Sequence, residues 1–320
     1  MGLLLLLAAS AGIVVAILAA ATVVESLRPR RRATGWAIGV GWPADPDAVG
    51  VPFEEWTLER PGGVRLPVWD VEGSDPAAPV LVLVHGFGRS RLTWLPHLEE
   101  WRSRSSRVVM IDLRGHGEAT PDGAGLGDAD VADVDALVEA VDGGCSSDRR
   151  PIVVVGRSLG ATVGILAAAE TSRIDGVIAV APYETLAVPM RGRIRLRGLP
   201  DVPALAIALL VLRLLGRRPR STVAAARRLS IPLLVVQGGR DQISPPADAR
   251  AIAEAAADTK SSISALPAAS RLGGHHRHRR RIRRARPLEF RNLGHHHRRC
   301  PQRNKKLPAP REMARARRTR

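Results

Sequence analysis

Five runs rich in valine, isoleucine and leucine follow one another along the middle of the chain. Stretches of helical character separate them, at residues 92–102, 129–141, 159–170 and 247–257. Continuous apolar runs of this kind are typical of strands buried on both faces of a parallel sheet. The alternation therefore predicts an α/β fold with a mostly parallel sheet flanked by helices. The five runs are residues 80–84, 108–111, 152–155, 174–180 and 233–236.

Two further segments extend this prediction at its ends. Residues 56–58 and 65–71 suit a short antiparallel pair around a Pro-Gly-Gly turn at residues 61–63. Residues 261–266 predict a weak last strand. The folded body is therefore expected over residues 51–270.

The N-terminal stretch, residues 2–24, is apolar and carries no charge. As a helix it is about 34 Å long, enough to cross a hydrocarbon core of about 30 Å. A cleaved signal peptide is the alternative, but this stretch is longer than the usual apolar part of a signal, and no Lys or Arg precedes it. We predict a single-pass anchor over residues 1–27, followed by a basic juxtamembrane segment and linker at residues 28–50.

Four arginines directly follow the apolar stretch, at positions 28, 30, 31 and 32. Positive residues near a span stay on the cytoplasmic side, so we expect the body to lie in the cytoplasm.

The formal net charge of +17 comes from one end of the chain. Residues 271–320 hold 19 Lys or Arg and 2 Asp or Glu, which gives +17, so residues 1–270 are neutral. The charge therefore does not indicate a nucleic-acid partner for the folded body. The chain's two cysteines form neither a disulfide framework nor a metal quartet.

The strongest chemical motif is Gly-Arg-Ser-Leu-Gly at residues 156–160, between an apolar strand and an Ala-rich helix. That context is the one a G-x-S-x-G nucleophile elbow requires. The tight turn needs small residues two before and two after the serine, and it raises Ser158 above the sheet at a helix N-terminus. An ordinary Gly-rich turn with a capping serine is the alternative.

A second glycine-rich loop, His-Gly-Phe-Gly at residues 85–88, follows the strand at 80–84. Its Phe87 N–H and the N–H of Leu159 are the candidate donors of an oxyanion hole. His85 precedes the nucleophile and is predicted to brace the loop, and His116 is likewise predicted to be structural.

Together these segments resemble the α/β-hydrolase family, in its serine-nucleophile lipase, esterase and peptidase-like branch. The resemblance covers about residues 51–270 and implies an α/β-hydrolase fold with a lid inserted at residues 183–228. It is specific for the fold and does not identify a substrate. The motifs that carry it, in order, are HGFG (85–88), DLRGHG (112–117), GRSLG (156–160) and GGRD (238–241).

The resemblance implies that Asp241 is the acid of a Ser-His-Asp triad, with Glu184 as a weaker alternative. The position where the family places the histidine holds Arg271, which cannot act as a general base. His275, His276 and His278 follow closely, and His275 is taken as the candidate base.

The tail, residues 271–320, has no helical or strand period and is expected to be disordered. Its Arg-, His- and Pro-rich composition is also what a GC-rich gene gives when it is translated out of frame, so a frameshift after about residue 260 stays open. A polybasic tail for anionic membranes or nucleic acid, or a His-rich metal tract, are the other interpretations. Few aromatic residues interleave with the charges, so specific nucleic-acid recognition is not expected.

The predicted lid contains an apolar segment, residues 204–215, preceded by Arg191, Arg193, Arg195 and Arg197. Twelve residues are too few to span a bilayer. The segment predicts a helix that covers the active site or, alternatively, one that lies on the membrane surface with arginines near anionic head groups.

The sequence thus predicts a membrane-anchored serine hydrolase that acts on a small or lipid-like acyl substrate and needs no cofactor or metal. The alternatives are a non-catalytic binding module of the same fold that lacks the triad histidine, and a basic-tail adaptor for nucleic acid. The substrate and the oligomeric state are not determined by the sequence.

Overall fold

A computed structural model of the chain describes residues 1–142 and 149–256, together with the backbone of residues 262–266. These ranges contain one eight-stranded sheet. The strands are β1 (Glu54–Arg60), β2 (Val64–Glu72), β3 (Val80–Val84), β4 (Arg107–Ile111), β5 (Ile152–Arg157), β6 (Gly176–Val180), β7 (Leu233–Gly238) and β8 (Ser262–Leu266).

The strand order is β1-β2-β4-β3-β5-β6-β7-β8. β2 pairs antiparallel with both β1 and β4, and the pairings from β4 through to β8 are parallel. The predicted antiparallel pair, the mostly parallel sheet and the weak last strand are therefore confirmed. In this order β3 and β5 are neighbours, so the loops that follow these two strands meet at one edge of the sheet.

Nine helices accompany the sheet in the described ranges. Residues 92–102 were predicted as one helix, but residues 91–97 form a 3₁₀ helix and only residues 98–102 are α-helical, because Pro96 lacks the N–H that an α-helix needs at that point. The helices are α1 (Gly2–Leu27), α2 (Thr34–Gly39), α3 (Leu98–Arg102), α4 (Asp128–Asp142), α5 (Leu159–Ala168), α6 (Ala187–Leu196), α7 (Ala204–Leu214), α8 (Thr222–Ala226) and α9 (Pro246–Ala255).

The central strands are buried on both faces, as the continuous apolar runs predict. Val82 and Val84 of β3 belong to a core cluster that includes residues of α4 and α5, while Leu81 and Leu83 are buried on the opposite face. Helix α5 is the most enclosed helix, with residues 159–167 all buried. The turn between β5 and α5 is therefore fixed by the core on both sides.

Helix α1 is, among the described residues, the one helix long and apolar enough to cross a membrane. Most of its length is exposed, and only its last turns pack on the body. There Val23 and Leu27 join an apolar cluster with residues of α6 and α7. Helix α1 thus ends against the segment that the sequence predicts to be a lid.

The segment predicted as a juxtamembrane linker lies on the body. The Arg31 guanidinium donates hydrogen bonds to the carbonyl oxygens of Gly117 (3.0 Å) and Ala119 (2.6 Å). The Thr34 N–H donates to Glu118 (2.8 Å). These bonds fix the exit of α1 beside the DLRGHG loop, near the edge of the sheet where β3 and β5 end.

Candidate active site

Ser158 lies between the last residue of β5 and the first residue of α5. Its backbone has φ 50° and ψ −109°, a conformation that L-residues rarely adopt. The Ser158 N–H donates to Val180 O (2.8 Å), and Ser158 O accepts from the Thr162 N–H (3.0 Å). Strained backbone of this kind at a strand-to-helix turn is the signature of a nucleophile elbow.

The two glycines of the motif are required by close backbone approaches. A Cβ atom on Gly156 would lie 2.2 Å from the Gly160 carbonyl oxygen, and one on Gly160 would lie 2.2 Å from the Val84 carbonyl oxygen. Any side chain there would push α5 away from β3 or β5. The spacing read from the sequence therefore has a direct steric cause.

The HGFG loop lies beside the serine. A Cβ atom on Gly86 would be 3.6 Å from Ser158 Cβ and 3.2 Å from Arg157 O. In the described part of the chain, neither the Phe87 N–H nor the Leu159 N–H donates a hydrogen bond. Two unengaged donors next to a serine at a helix N-terminus can stabilise a developing oxyanion.

His85 connects the ends of two strands. Its Nδ1 is 2.9 Å from Gly86 O, and its Nε2 accepts from the Leu113 N–H (3.0 Å). The side chain is fully buried, and this burial lowers its pKa to about 4. Both ring nitrogens have a backbone partner and the ring is neutral at physiological pH. His85 therefore holds the loop in place, which is the bracing role that the sequence predicts.

His116 lies next to His85, with 5.1 Å between the ring centroids. Burial, with His85 as a second cause, lowers the His116 pKa to about 3. Its Nδ1 is 2.9 Å from Arg114 O, so the ring is held in place by the DLRGHG loop itself.

Asp112, which sequence analysis quoted only as part of a motif, organises the same region. Its carboxylate accepts the N–H groups of Arg91 (2.8 Å) and Glu118 (2.9 Å) and is fully buried. Burial raises its pKa, although the nearby Arg91 guanidinium opposes the shift. A Cβ on Gly117 would lie 2.2 Å from Asp112 Oδ2, which explains the glycine of the motif.

Asp241 follows β7 in a turn. Its Oδ1 accepts the N–H groups of Ile243 (2.8 Å) and Ser244 (2.9 Å), which fixes the carboxylate at the end of the strand. β5 and β7 are separated only by β6, so the turns that carry Ser158 and Asp241 are two strand spacings apart, about 10 Å. That leaves room for an imidazole between them.

Of the remaining candidates for the triad, only Glu184 lies within the described residues. Glu184, the weaker acid candidate, is exposed, and its N–H donates to Asp248 (2.8 Å). The candidate base His275, Arg271 and the basic tail lie outside the described residues. Within the described residues, no group of three or more His, Cys, Asp or Glu side chains could hold a metal ion.

Helix α6 brings an additional cation to the site. The Arg193 guanidinium carbon lies 4.5 Å from the centroid of the Phe87 ring. On the same helix a Cβ at Gly192 would be 2.7 Å from Gln242 O, so α6 contacts the Asp241 turn as well. Arg193 therefore stands between the candidate oxyanion loop and the candidate acid loop.

The four arginines of the predicted lid differ in their partners. Arg191 and Arg195 pair with Asp201, and Arg197 pairs with Glu25 of α1. Arg193 makes no salt bridge among the described residues; burial lowers its pKa, and the nearby Glu25 carboxylate opposes that shift. The sequence does not distinguish these four arginines from one another, whereas their packing does.

Comparison with known proteins gives a family and several distant relatives. Residues 81–304 match the model of the Alpha/beta hydrolase family. An uncharacterized membrane protein of Saccharomyces cerevisiae is 29% identical over 45% of this chain and 50% of its own. Protein phosphatase methylesterase 1 of Mus musculus is 36% identical over 30% of this chain and 25% of its own. The chain thus matches half or less of the length of these relatives.

Two solved structures have the same fold. An esterase of Pyrococcus furiosus superposes with a TM-score of 0.60 at 19% identity, over 76% of this chain and 90% of its own. A bacterial membrane phospholipase A superposes with a TM-score of 0.53 at 18% identity, over 83% of this chain and 89% of its own. With a family model that matches more than half of its length, the chain belongs to the alpha/beta hydrolase family.

Proposed function

We propose that this protein is a membrane-anchored serine hydrolase that cleaves an ester-like acyl substrate. The observation that carries the proposal is the strained Ser158 turn, with the unengaged Phe87 and Leu159 N–H groups beside it. The esterase and methylesterase names among the relatives support ester chemistry in particular.

In the proposed reaction Ser158 Oγ attacks the substrate carbonyl while its proton passes to a base. The Phe87 and Leu159 N–H groups stabilise the resulting oxyanion. The base then protonates the leaving alcohol, and an acyl-serine forms. Water, activated by the same base, releases the acid and restores Ser158. No step requires a cofactor or a metal.

The base in this scheme is His275, the first histidine after the position that holds Arg271. Asp241, fixed by two backbone N–H groups, would orient that imidazole and stabilise its protonated form.

A second candidate function follows from Arg271. If no tail histidine reaches Ser158, the protein is a membrane-tethered binding module that keeps the fold without the base. An intact oxyanion hole alone still gives roughly 10³–10⁴-fold catalysis over water, so weak turnover does not separate the two functions.

The membrane location is part of the proposal. It is supported by the length and composition of α1 and by a yeast relative described as a membrane protein. The arginines at positions 28–32 favour a cytoplasmic body.

The test is covalent labelling of the full-length protein in detergent with a fluorophosphonate, which forms a Ser–phosphorus bond and releases fluoride. We expect rapid labelling that Ser158→Ala abolishes and that Ser103→Ala, at an exposed serine, leaves unchanged. His275→Gln should slow the labelling strongly if His275 is the base. No labelling of a folded wild-type sample would favour the binding module.

A further inference from the structure

A groove runs between the anchor helix and the lid. One wall is a single face of α1 and the other is α7, which contributes Ile207 and Val211, and the groove encloses about 380 Å³. Every lining side chain is apolar. The α1 wall consists of Gly12, Val15, Ala16, Ala19, Ala20, Val23 and Val24.

The position of the groove along α1 indicates what fills it. Counted from Leu27, where the span ends, Val24 lies about 5 Å and Gly12 about 22 Å along the helix axis. The hydrocarbon of one leaflet is about 15 Å deep. If α1 spans the bilayer, the groove therefore lies among the acyl chains and extends from the leaflet next to Leu27 to past the bilayer midplane. The α7 residues that line it lie at the same depth.

The outer face of α7 is consistent with that depth. Leu210 is 57% exposed and Leu214 is 78% exposed, and the following Leu215 is 54% exposed. In water these exposed leucines are costly, whereas the acyl region of a bilayer covers them. The exposed Arg213 on the same face would extend its guanidinium to the head groups. The bidentate pair between Arg197 and Glu25 (2.7 and 2.8 Å) holds the lid beside the end of α1.

The inner end of the groove leads toward the candidate active site. Val23, which lines the groove, also belongs to the apolar cluster that contains Leu205 of α7 and against which Phe87 packs. A Cβ on Gly88 would lie 4.0 Å from the carbonyl oxygen of Arg30, so the residues that follow α1 pass close to the proposed oxyanion loop. Apolar side chains thus form a continuous path from the groove, at the depth of the acyl chains, to the HGFG loop beside Ser158.

We infer that this anchor–lid groove receives an acyl chain of a membrane lipid and places its ester at Ser158. The inference rests on the proposed hydrolase function and specifies its substrate as a long-chain lipid ester. The lipid comes from the leaflet next to Leu27, on the side of the folded body. The span then has two roles, since it holds the enzyme in the membrane and forms one wall of the substrate site.

The test compares two fluorophosphonates, one with a dodecyl chain and one with an ethyl chain, on full-length protein in lipid vesicles. We expect Ser158 to react with the dodecyl probe at least about tenfold faster, the gain that burial of a few methylene groups gives. Filling the groove with Ala16→Leu and Ala20→Leu should remove this preference, so that the two probes label Ser158 at similar rates.

The matched control is Ala11→Leu with Ala21→Leu. Both alanines are exposed, and each points about 140° away from Ala16 around α1, so the same atoms are added to the face away from the groove. This control should retain the chain-length preference of the wild type.

Each result has a distinct meaning. If neither probe labels Ser158, the proposed hydrolase function is wrong and the inference fails with it. If both probes label Ser158 but the filled groove retains the preference, only the groove assignment is overturned. Cross-linking of the protein in vesicles tests one other occupant. If it traps a dimer that the filled variant loses, and the chain-length preference is unchanged, the groove binds a second copy of α1 instead.

Discussion

The Arg193 guanidinium stacks on the Phe87 ring at 4.5 Å and makes no salt bridge among the described residues, although the Glu25 carboxylate lies near enough to favour its charge. Phe87 carries one of the two N–H groups proposed to hold the oxyanion, so this cation lies against the side chain of that loop. Burial lowers the Arg193 pKa, which means that the charge is held at a cost in solvation. An anionic group on the substrate would offset that cost.

We therefore predict that Arg193 selects anionic esters. Arg193→Gln should lower kcat/KM for an ester with a carboxylate or phosphate group by about tenfold or more, since a hydrogen bond to a charged group contributes about 1.5–3 kcal/mol. For a neutral ester of the same chain length the change should be small. Parallel kinetics on the two substrates measure the difference.

Arg195→Gln is the control for Arg193, because Arg195 lies two residues away on α6 and already pairs with Asp201. It should leave the ratio of the two kcat/KM values unchanged. Equal losses for both substrates in Arg193→Gln would show that Arg193 only supports the lid.

The contact between Gly160 and β3 gives a second prediction. A methyl group on Gly160 would lie 2.2 Å from the Val84 carbonyl oxygen, and neither backbone can move without opening the core. Gly160→Ala should lower the free energy of unfolding by about 3 kcal/mol or more, the upper range for overpacking, and abolish labelling of Ser158. Thermal unfolding in detergent measures the loss.

Gly176→Ala is the matched control for Gly160. Gly176 also lies in the core, in β6, but the nearest atom to an added Cβ is 3.5 Å away. That variant should unfold within a few degrees of the wild type, so a large loss there would mean that the steric argument for Gly160 is not specific.

The parts of the site that follow from local rules were predictable from sequence. A run such as residues 152–155 specifies a buried strand wherever it occurs, and the glycines at 156 and 160 are required by the turn that follows. The positions of Ser158, Phe87 and Leu159 at one edge of the sheet follow from these rules together with the strand order.

Tertiary contacts account for what the sequence did not reveal. Helix α6 was not predicted, because arginine alternates with other residues at positions 191–197 and hides the helical period. In the structure Met190 and Ile194 lie one turn apart on α6 and are both buried in the apolar cluster that includes Val23 of α1. Charged side chains are normally assigned to water, so nothing in the sequence separates Arg193 from Arg195. The base is a different case, because His275 lies outside the described residues and stays a prediction.

The bonds made by Arg31 predict that the end of the anchor is part of the folded body. Deleting residues 2–18 removes most of the span but keeps Leu27 and Arg31, whereas deleting residues 2–32 also removes the bonds to Gly117 and Ala119 and the one from the Ala124 N–H to Leu27 O (2.9 Å). The longer deletion should lower the Tm by about 5 °C or more relative to the shorter one. Scanning fluorimetry of both proteins in detergent tests this, and equal Tm values would mean that residues 19–32, which only the longer deletion removes, do not stabilise the body.

Asp130 provides a prediction about pH. It is fully buried at the start of α4, and its Oδ1 has no hydrogen-bond partner among the described residues. Burial raises its pKa to about 7, and the nearby negative charge of Asp133 acts in the same direction. In the unfolded chain an aspartate loses its proton near pH 4. Between about pH 4 and pH 7 the folded protein therefore binds a proton that the unfolded chain has lost, so the contribution of Asp130 to the free energy of unfolding falls as the pH rises.

Asp130→Asn removes this contribution and should stabilise the protein at pH 8, by an amount on the order of 3 kcal/mol that shrinks toward pH 4. Histidines such as His85 do not affect this difference, because both proteins contain them. Asp133→Asn, three residues along α4, should instead destabilise at pH 8, because Asp133 is a buried partner of Arg114 (2.7 Å) and Arg60 (3.0 Å). Tm values of both variants, measured from pH 5 to pH 8, test these two expectations. If Asp130→Asn loses stability at pH 8 as Asp133→Asn does, the Asp130 carboxylate is solvated or paired in the folded protein.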